Sequence, residues 1–328
     1  MNPKLSIIVT TFNRSCLLKK ALLSLACQTA AADSFEIIVV DDGSTDETLD
    51  IVESLASLLP LTYTHQINSG LASAKNHGLY LAKGEIVLFL DDDDISSPEL
   101  VEEHLIAHQE HPELNTAILG RTQLSPELRD DPLMQYITNK DPMLFFYKGL
   151  SHNTIQSYEY FWGGRSSCKR ELLLKEGVFN PIFKFGYEDI ELGYRLSKKV
   201  GLNVVYWEHA LNTMIRRIDL AAFLQRCRRQ GESAWRFLVL HEMDNTIKNY
   251  LECNNLLRDL EILGPSYELA SLSATKLEAA VHSAKALDFS LPSDWTKALE
   301  LAYHRAFRAA ISKGMLDAKH RLEPGKSL

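Results

Sequence analysis

The chain has 328 residues, 43 of them acidic and 35 basic, for a formal net charge of -8, and 45% are hydrophobic. This is ordinary globular composition, with chain enough for two domains or for one large domain and an appendage. The charge excludes a general binder of nucleic-acid backbones, and apolar runs such as Ile86-Val87-Leu88-Phe89-Leu90 fall far short of the roughly 18 residues that span a bilayer.

The opening stretch MNPKLSIIVTTFNRS has no signal-peptide plan. Leu5 to Thr10 is a β-branched strand run, and Cys16 to Gln28 has helical spacing. Phe35 to Val40 is a second strand, closed by Asp41-Asp42-Gly43. Ser44 and Glu47 then have the spacing of a capping box for a helix running to about Leu58. Leu61 to His65 is a third strand, Ala72 to Ala82 a helix stopped by Gly84, and Glu85 to Leu90 a fourth strand that ends on four aspartates, Asp91 to Asp94. Ser97-Pro98 opens the next helix as cap and first residue. The middle, about 115 to 210, is less periodic. Within it, Gly186 to Arg195 has the pattern of a helix start, with Glu191 and Arg195 as an i,i+4 pair. From about 219 onward the spacing is helical, in stretches 219–262 and 266–315 broken near Gly264-Pro265 and Ser290 to Ser293.

Continuous apolar strands alternating with helices predict an α/β fold with a mostly parallel sheet covered on both faces. Such sheets bind ligands at the carboxyl ends of their strands. Thr11-Phe12-Asn13, Asp41-Asp42-Gly43 and Asp91 to Asp94 all stand at such ends and should converge on one crevice. Four adjacent carboxylates at the end of a buried strand repel one another, and a divalent cation, Mg²⁺ or Mn²⁺, would relieve them. The other reading of those residues is a solvated acidic turn. The helix opening after Asn68-Ser69-Gly70 would favour an anion, with Lys75 near it.

Four segments in order, SIIVTTFNR, IIVVDDGSTDET, GLASAKNHG and EIVLFLDDDDISSPE, resemble those of the family 2 glycosyltransferases. A fifth, from Phe161-Trp162-Gly163-Gly164 to Phe185-Gly186-Tyr187-Glu188-Asp189, is similar to that family's acceptor-side segment. The family usually has Pro where Thr10 stands, Tyr for Phe12 and Arg for Lys75. The resemblance covers about residues 4–210. It implies a GT-A fold and an inverting enzyme that moves a sugar from a nucleotide-sugar, here a UDP-sugar, to a hydroxyl of a saccharide or lipid-linked glycan in polysaccharide or glycoconjugate assembly.

The resemblance also implies roles. Thr11, Phe12, Asn13, Asp42, Lys75 and Asn76 would hold the nucleotide, with Asp91, Asp92 and Asp94 beside the ribose and donor sugar. Asp91 and Asp93 form the DxD motif, and Asp93 would bind Mn²⁺ or Mg²⁺ directly; His209 would complete the metal shell or be a capped or packed core histidine. Asp189 would be the general base and Glu188 its neighbour. Phe161, Trp162 and Gly163 would meet the acceptor, although Phe161 and Trp162 are equally suited to a core. The expected domains are 1–218, catalytic (1–114 for the nucleotide-sugar, 115–218 for the acceptor), and 219–328, helical. The rival readings are a sugar nucleotidyltransferase and a non-catalytic nucleotide-sugar-binding scaffold.

The five cysteines (Cys16, Cys27, Cys168, Cys227, Cys253) include no CxxC pair, so neither a zinc site nor a disulfide framework is expected, and a reducing cytoplasm fits. His104, His108 and His111 have metal-like spacing but lie among glutamates, which points to a solvated helix face. Arg216, Arg217, Arg226, Arg228 and Arg229 form a basic stretch that could meet a diphosphate, an anionic acceptor or membrane headgroups, or be a solvated helix face. Peripheral membrane association and oligomerisation through the C-terminal helices are the partner expectations that remain.

Overall fold

The computed structural model describes residues 2–141, 143–253, 260, 262–290 and 292–322. Residues 254–259, 261 and 291, within and beside the two predicted helical stretches, lie outside the described residues, as does the side chain of Cys253. The chain divides into two compact units, Met1–Arg129 with Phe145–Arg216, and Asp130–Leu144 with Arg217–Leu328.

In the first unit, β1 (Leu5–Thr11), α1 (Ser15–Leu25), β2 (Phe35–Asp41), α2 (Thr48–Leu55), β3 (Leu61–His65), α3 (Leu71–Leu81), β4 (Ile86–Asp91), β5 (Asp94–Ser96), α4 (Leu100–Glu110) and β6 (Thr116–Leu124) follow in order. The short α5 (Pro132–Gln135) belongs to the second unit. The first unit resumes with β7 (Thr154–Gln156), β8 (Ser166–Lys169), α6 (Arg170–Glu176), α7 (Glu188–Val200) and β9 (Asn203–Met214). The described strands form one sheet in the order β3-β2-β1-β4-β8-β6-β9-β5, with β7 paired to β9. The β3-β2-β1-β4 half is parallel, as expected; β8, β5 and β7 run antiparallel to their neighbours.

The apolar strands are continuous because both faces of the sheet are covered. Leu5, Ile7 and Val9 of β1, with Ile37 and Val39 of β2 and Leu88 and Leu90 of β4, pack on Leu18, Leu22, Val52 and Leu100 of α1, α2 and α4. The alternate residues Ile8, Ile38, Val40, Val87 and Phe89 pack on Ala72, Leu79, Leu172 and Leu192 of α3, α6 and α7. A Cβ on Gly78 would collide with Ile8, so α3 needs glycine there to lie so close to β1.

Three local expectations are corrected. Ser44 does not cap α2: its N–H donates to Asp41 Oδ1 (2.8 Å), and its Oγ accepts from the Asn13 N–H (2.8 Å). The helix starts only at Thr48, beside Asp46. Ser97 does not cap α4, which begins at Leu100 after Glu99. His104 and His108 are buried rather than solvated, because the helix face they share turns onto β8. Ser167 Oγ bonds both rings, His104 Nδ1 at 2.8 Å and His108 Nε2 at 2.9 Å.

The second unit is helical among its described residues, with long helices Leu220–Leu240, Tyr267–Ala286 and Ser293–Leu322. Gly231 and Gly314 permit backbone contact, since a Cβ on either would strike Ile311 or Arg228 of the opposing helix. Segment 130–144, which the sequence assigned to the acceptor-side half, packs here through Tyr136, whose ring lies 5.5 Å from that of Tyr303. No helix among the described residues is long and apolar enough to cross a membrane.

Candidate active site

The carboxyl ends of β1, β2 and β4 meet as their sequence positions require. Asp92 is buried where β4 ends and accepts from Thr11 Oγ1 and from Arg14 Nη1, both at 2.8 Å. Burial, more than any other influence, pushes the Asp92 carboxyl up to about 6. Asp93 is buried, 2.5 Å from Arg216 Nε and 3.8 Å from Arg14 Nη1. Asp94 is buried and accepts from Thr122 Oγ1 at 3.3 Å; burial raises its pKa well above the carboxylate range against the pull of Arg165. Asp91 is the most open, with its side chain 37% exposed, and meets Arg165 Nη2 at 3.0 Å.

The repulsion foreseen among the four aspartates is therefore relieved by Arg14, Arg165 and Arg216. Nothing in the sequence singles out Arg14 or Arg165. Each is a single cation next to a glycine or asparagine turn, with nothing in its neighbours to mark its target. Arg216 stands in the basic stretch. That stretch divides: Arg216 reaches Asp93, while Arg217 pairs with Asp131 (2.7 Å) and Arg228 with Asp317 (2.6 Å) in the second unit.

The second cluster forms where α3 meets the start of α7. Lys75 is buried, with Nζ 2.9 Å from Glu188 Oε1. Burial would lower its pKa, but Glu188, Asp189 and Asp91 raise it, so it stays an ammonium. Asp189 accepts from the Gly163 N–H and the Ile190 N–H, both at 2.8 Å. Burial, then the charge of Glu188, push the Asp189 carboxyl up to about 6 against the pull of Lys75. Tyr187, at φ 65, makes the left-handed turn that starts α7 at this point. A Cβ on Gly163 would run into Lys75 Nζ, and one on Gly164 into the Asp91 carboxylate. The two glycines are therefore where both clusters approach one stretch of backbone.

Other expected residues take different places. Asp42 is buried and accepts from Gln66 Nε2 (2.7 Å), the Ser69 N–H (2.8 Å) and the Gly70 N–H (2.9 Å), shaping the loop before α3. Asn76 clamps the Phe179 backbone in both directions, at 2.8 and 3.0 Å, so its amide is engaged with the chain itself and is not free for a nucleotide. Asn13, at φ 52, accepts from the Thr45 N–H, and beside it Phe12 is 45% exposed at the crevice. Phe161 is fully buried in the core and cannot meet an acceptor. Trp162 is half-buried, its Nε1–H on the Glu159 carbonyl. His209 does not join the aspartates. Its ring is 4.5 Å from that of His152, and it lies in the irregular stretch of β9, five residues before Met214, the partner of Asp94.

Residues 6–175 match the sequence profile of glycosyl transferase family 2. The chain belongs to that family. It is 33% identical over 224 residues to validoxylamine A glucosyltransferase of Streptomyces hygroscopicus subsp. jinggangensis, an alignment covering 59% of this chain and 51% of that one. The chain thus spans about half the length of the curated relatives it matches. Its fold is that of the mannosyltransferase PcManGT from Pyrobaculum calidifontis, solved with GDP-Man and Mn²⁺, at TM-score 0.60 and 19% identity over 95% of this chain and 87% of that one. It is also that of residues 1–349 of S. aureus TarS, solved with UDP-GlcNAc, at TM-score 0.55 and 18% identity over 97% and 92%. This family 2 chain has the GT-A fold, a mostly parallel sheet flanked by helices.

Proposed function

We propose that this chain is an inverting glycosyltransferase that uses a divalent metal to move a sugar from a nucleotide-sugar, a UDP-sugar in our reading, to a hydroxyl of a saccharide or lipid-linked glycan. The observation that carries the proposal is the joining of the Asp91 cluster and Asp189 at Gly163-Gly164. One stretch of backbone then serves both a donor site and a base.

In this reading Phe12 and the loop shaped by Asp42 border the base and ribose, and Asp92 holds Thr11 and Arg14 in place beside them. Asp91 and Asp93 would hold the metal: they present hard carboxylate oxygens at alternate positions of one turn, and Asp91 is open to solvent. Arg216 would yield Asp93 or share it. When bound, Mn²⁺ or Mg²⁺ neutralises charge on the departing diphosphate. Asp189 accepts the proton of the acceptor hydroxyl as its oxygen bonds the anomeric carbon and the bond from that carbon to the diphosphate breaks. Glu188, locked to Lys75, keeps that carboxylate basic. Trp162 and Gly163 border the acceptor.

The mannosyltransferase solved with GDP-Man and Mn²⁺ and the TarS fragment solved with UDP-GlcNAc support a nucleotide-sugar donor. A Campylobacter jejuni relative, 44% identical over 95 residues, is named for a glucosyl transfer onto an undecaprenol-linked glycan, which supports a lipid-linked acceptor. Polysaccharide or glycoconjugate assembly, in the cytoplasm or at the inner face of its membrane, is the context that follows. The family match leaves a nucleotidyltransferase without support.

The test is thermal shift with UDP- and GDP-sugars, with and without Mn²⁺, together with donor hydrolysis and transfer assays. One donor should raise the melting temperature by several degrees, with Mn²⁺ required. Asp93→Ala should lose the Mn²⁺-dependent part of the shift. Asp189→Asn should keep the shift and lose transfer. A wild-type protein that no nucleotide-sugar stabilises would overturn the reading.

A further inference from the structure

Antiparallel pairing of β7 with β9 matches Thr154 to Tyr206, so the next positions bring His152 opposite Glu208. On its other edge β9 pairs with β6, and there its register breaks. β9 runs five residues, from Tyr206 to Leu211, while β6 runs two, from Leu119 to Arg121. In an unbroken pleat Glu208 and His209 would point to opposite faces. In the bulge both come to His152: one ligand atom from each of the three side chains lies within 4.8 Å of the others. A Cβ on Gly120 would strike the Ala210 carbonyl, so glycine on β6 is what lets the bulge lie flat.

The surroundings are those of a ligand set held in place. His152 is packed on Trp207 with ring centroids 4.4 Å apart, and Trp207 is fixed by its Nε1–H on Glu103 Oε2 (2.7 Å). The next residue, Asn153, is in the left-handed region (φ 58), and its Oδ1 meets His111 Nε2 at 2.6 Å. His152 Nδ1 is buried and finds no hydrogen-bond partner among the described residues, although buried ring nitrogens ordinarily have one.

We infer that His152, Glu208 and His209 form a binding site for a borderline transition-metal cation of the Zn²⁺ class, separate from the aspartates of the active site. Two imidazole nitrogens and one carboxylate oxygen with a coordination position left open suit Zn²⁺, Co²⁺ or Ni²⁺, whereas Mg²⁺ and Mn²⁺ prefer all-oxygen sets such as Asp91 and Asp93. Tetrahedral bonds of about 2.1 Å place ligand atoms roughly 3.4 Å apart, so a rotation of the exposed His209 ring closes the set. A cation there fastens the turn before β7 to the bulge of β9. It acts as a clip on the acceptor side of the sheet, in a chain without a paired-cysteine zinc motif.

The experiment is calorimetric titration of untagged, EDTA-stripped full chain with Zn²⁺ alone, followed by melting with and without Zn²⁺. Wild type should bind one equivalent that survives Asp93→Ala, and Zn²⁺ should raise its melting temperature. His209→Ala and His152→Ala should each weaken that binding at least tenfold and abolish the shift, and Glu208→Gln should weaken it less. His209 is exposed, so its variant decides the matter even if His152→Ala folds poorly. Binding that is absent from wild type, unchanged in His209→Ala, or lost in Asp93→Ala overturns the inference.

Discussion

Asp91 and Asp189 are fastened to adjacent residues. The Asp91 N–H donates to the Gly164 carbonyl at 3.3 Å, and Asp189 Oδ2 accepts the Gly163 N–H at 2.8 Å. Adjacent Cα atoms are about 3.8 Å apart across a trans peptide. The backbone of Asp91 and the carboxylate of Asp189 are thus tied to neighbouring residues, so in the proposed roles the spacing of the metal side and the base is set by a short covalent stretch and two hydrogen bonds. Rigid placement of that kind is what an in-line displacement demands.

The elevated pKa of Asp189 gives a pH dependence. Burial and Glu188 place it at about 6, and only the ionised form accepts a proton. Transfer at saturating donor and acceptor should be flat at neutral pH and fall about tenfold per unit below pH ~6. Initial rates between about pH 5 and 8 check this. A profile flat down to pH ~5 would remove Asp189 as the base.

Gly164→Ala should leave a folded protein with little activity. The added methyl would occupy the space of the Asp91 carboxylate, while the backbone there is not in the left-handed region. Displacing that group by about 1 Å predicts a loss of transfer of roughly a hundredfold or more. The melting temperature should fall by only a few degrees, and steady-state rates beside a melting curve separate the two effects.

Arg216→Ala tests what stands at Asp93. Without that guanidinium the buried carboxylate has Arg14 only at 3.8 Å, and a poorly paired buried charge costs about 1–3 kcal/mol. In EDTA the variant should melt several degrees below wild type, and Mn²⁺ should restore more of its stability than it adds to wild type. An equal deficit with and without Mn²⁺ would separate the metal from Asp93.

His104 and His108 predict acid sensitivity. Burial holds the His104 ring down to about 3 and His108 well below its ordinary value. Unfolded, each takes a proton near 6.5. Below that pH the unfolded chain binds more protons than the folded one, so stability falls as pH drops toward the folded values, by up to about 1.4 kcal/mol per unit for each ring. Urea unfolding of wild type and His104→Gln at about pH 7.5 and 5 should show a shallower decline in the variant.

Most of the first unit's parallel half was legible because β1, β2 and β4 are largely apolar, β-branched runs ending on an acid or a turn. The aspartates were visible as charges at the ends of buried strands, whereas Lys75 and the Glu188-Asp189 pair, ordinary residues for helix starts, were marked out by the family resemblance. What escaped were partners fixed only in three dimensions. Arg14 and Arg165 look like surface cations until β1 and β8 bring them to Asp92 and Asp91. Asn76 resembles a ligand contact until α3 places it over the Phe179 backbone. His104 and His108 misled because their helix has glutamates on the neighbouring face, and one-dimensional spacing does not reveal which side meets β8.

The break in β9 also sets the phase of the strand. Three more residues in β9 than in β6 is an odd number, and in a two-residue pleat an odd number exchanges the faces. Before the break Val205, an odd position, enters the core of α1, α2 and α4, as Trp207 and Ala210 do within it; after it the even positions Asn212 and Met214 are the buried ones. The strand reaches Asp94, and hands Arg216 on to Asp93, in this exchanged phase. Lengthening or shortening the bulge by a single residue would therefore be felt at the aspartates, whereas a change of two would preserve the parity on which they depend.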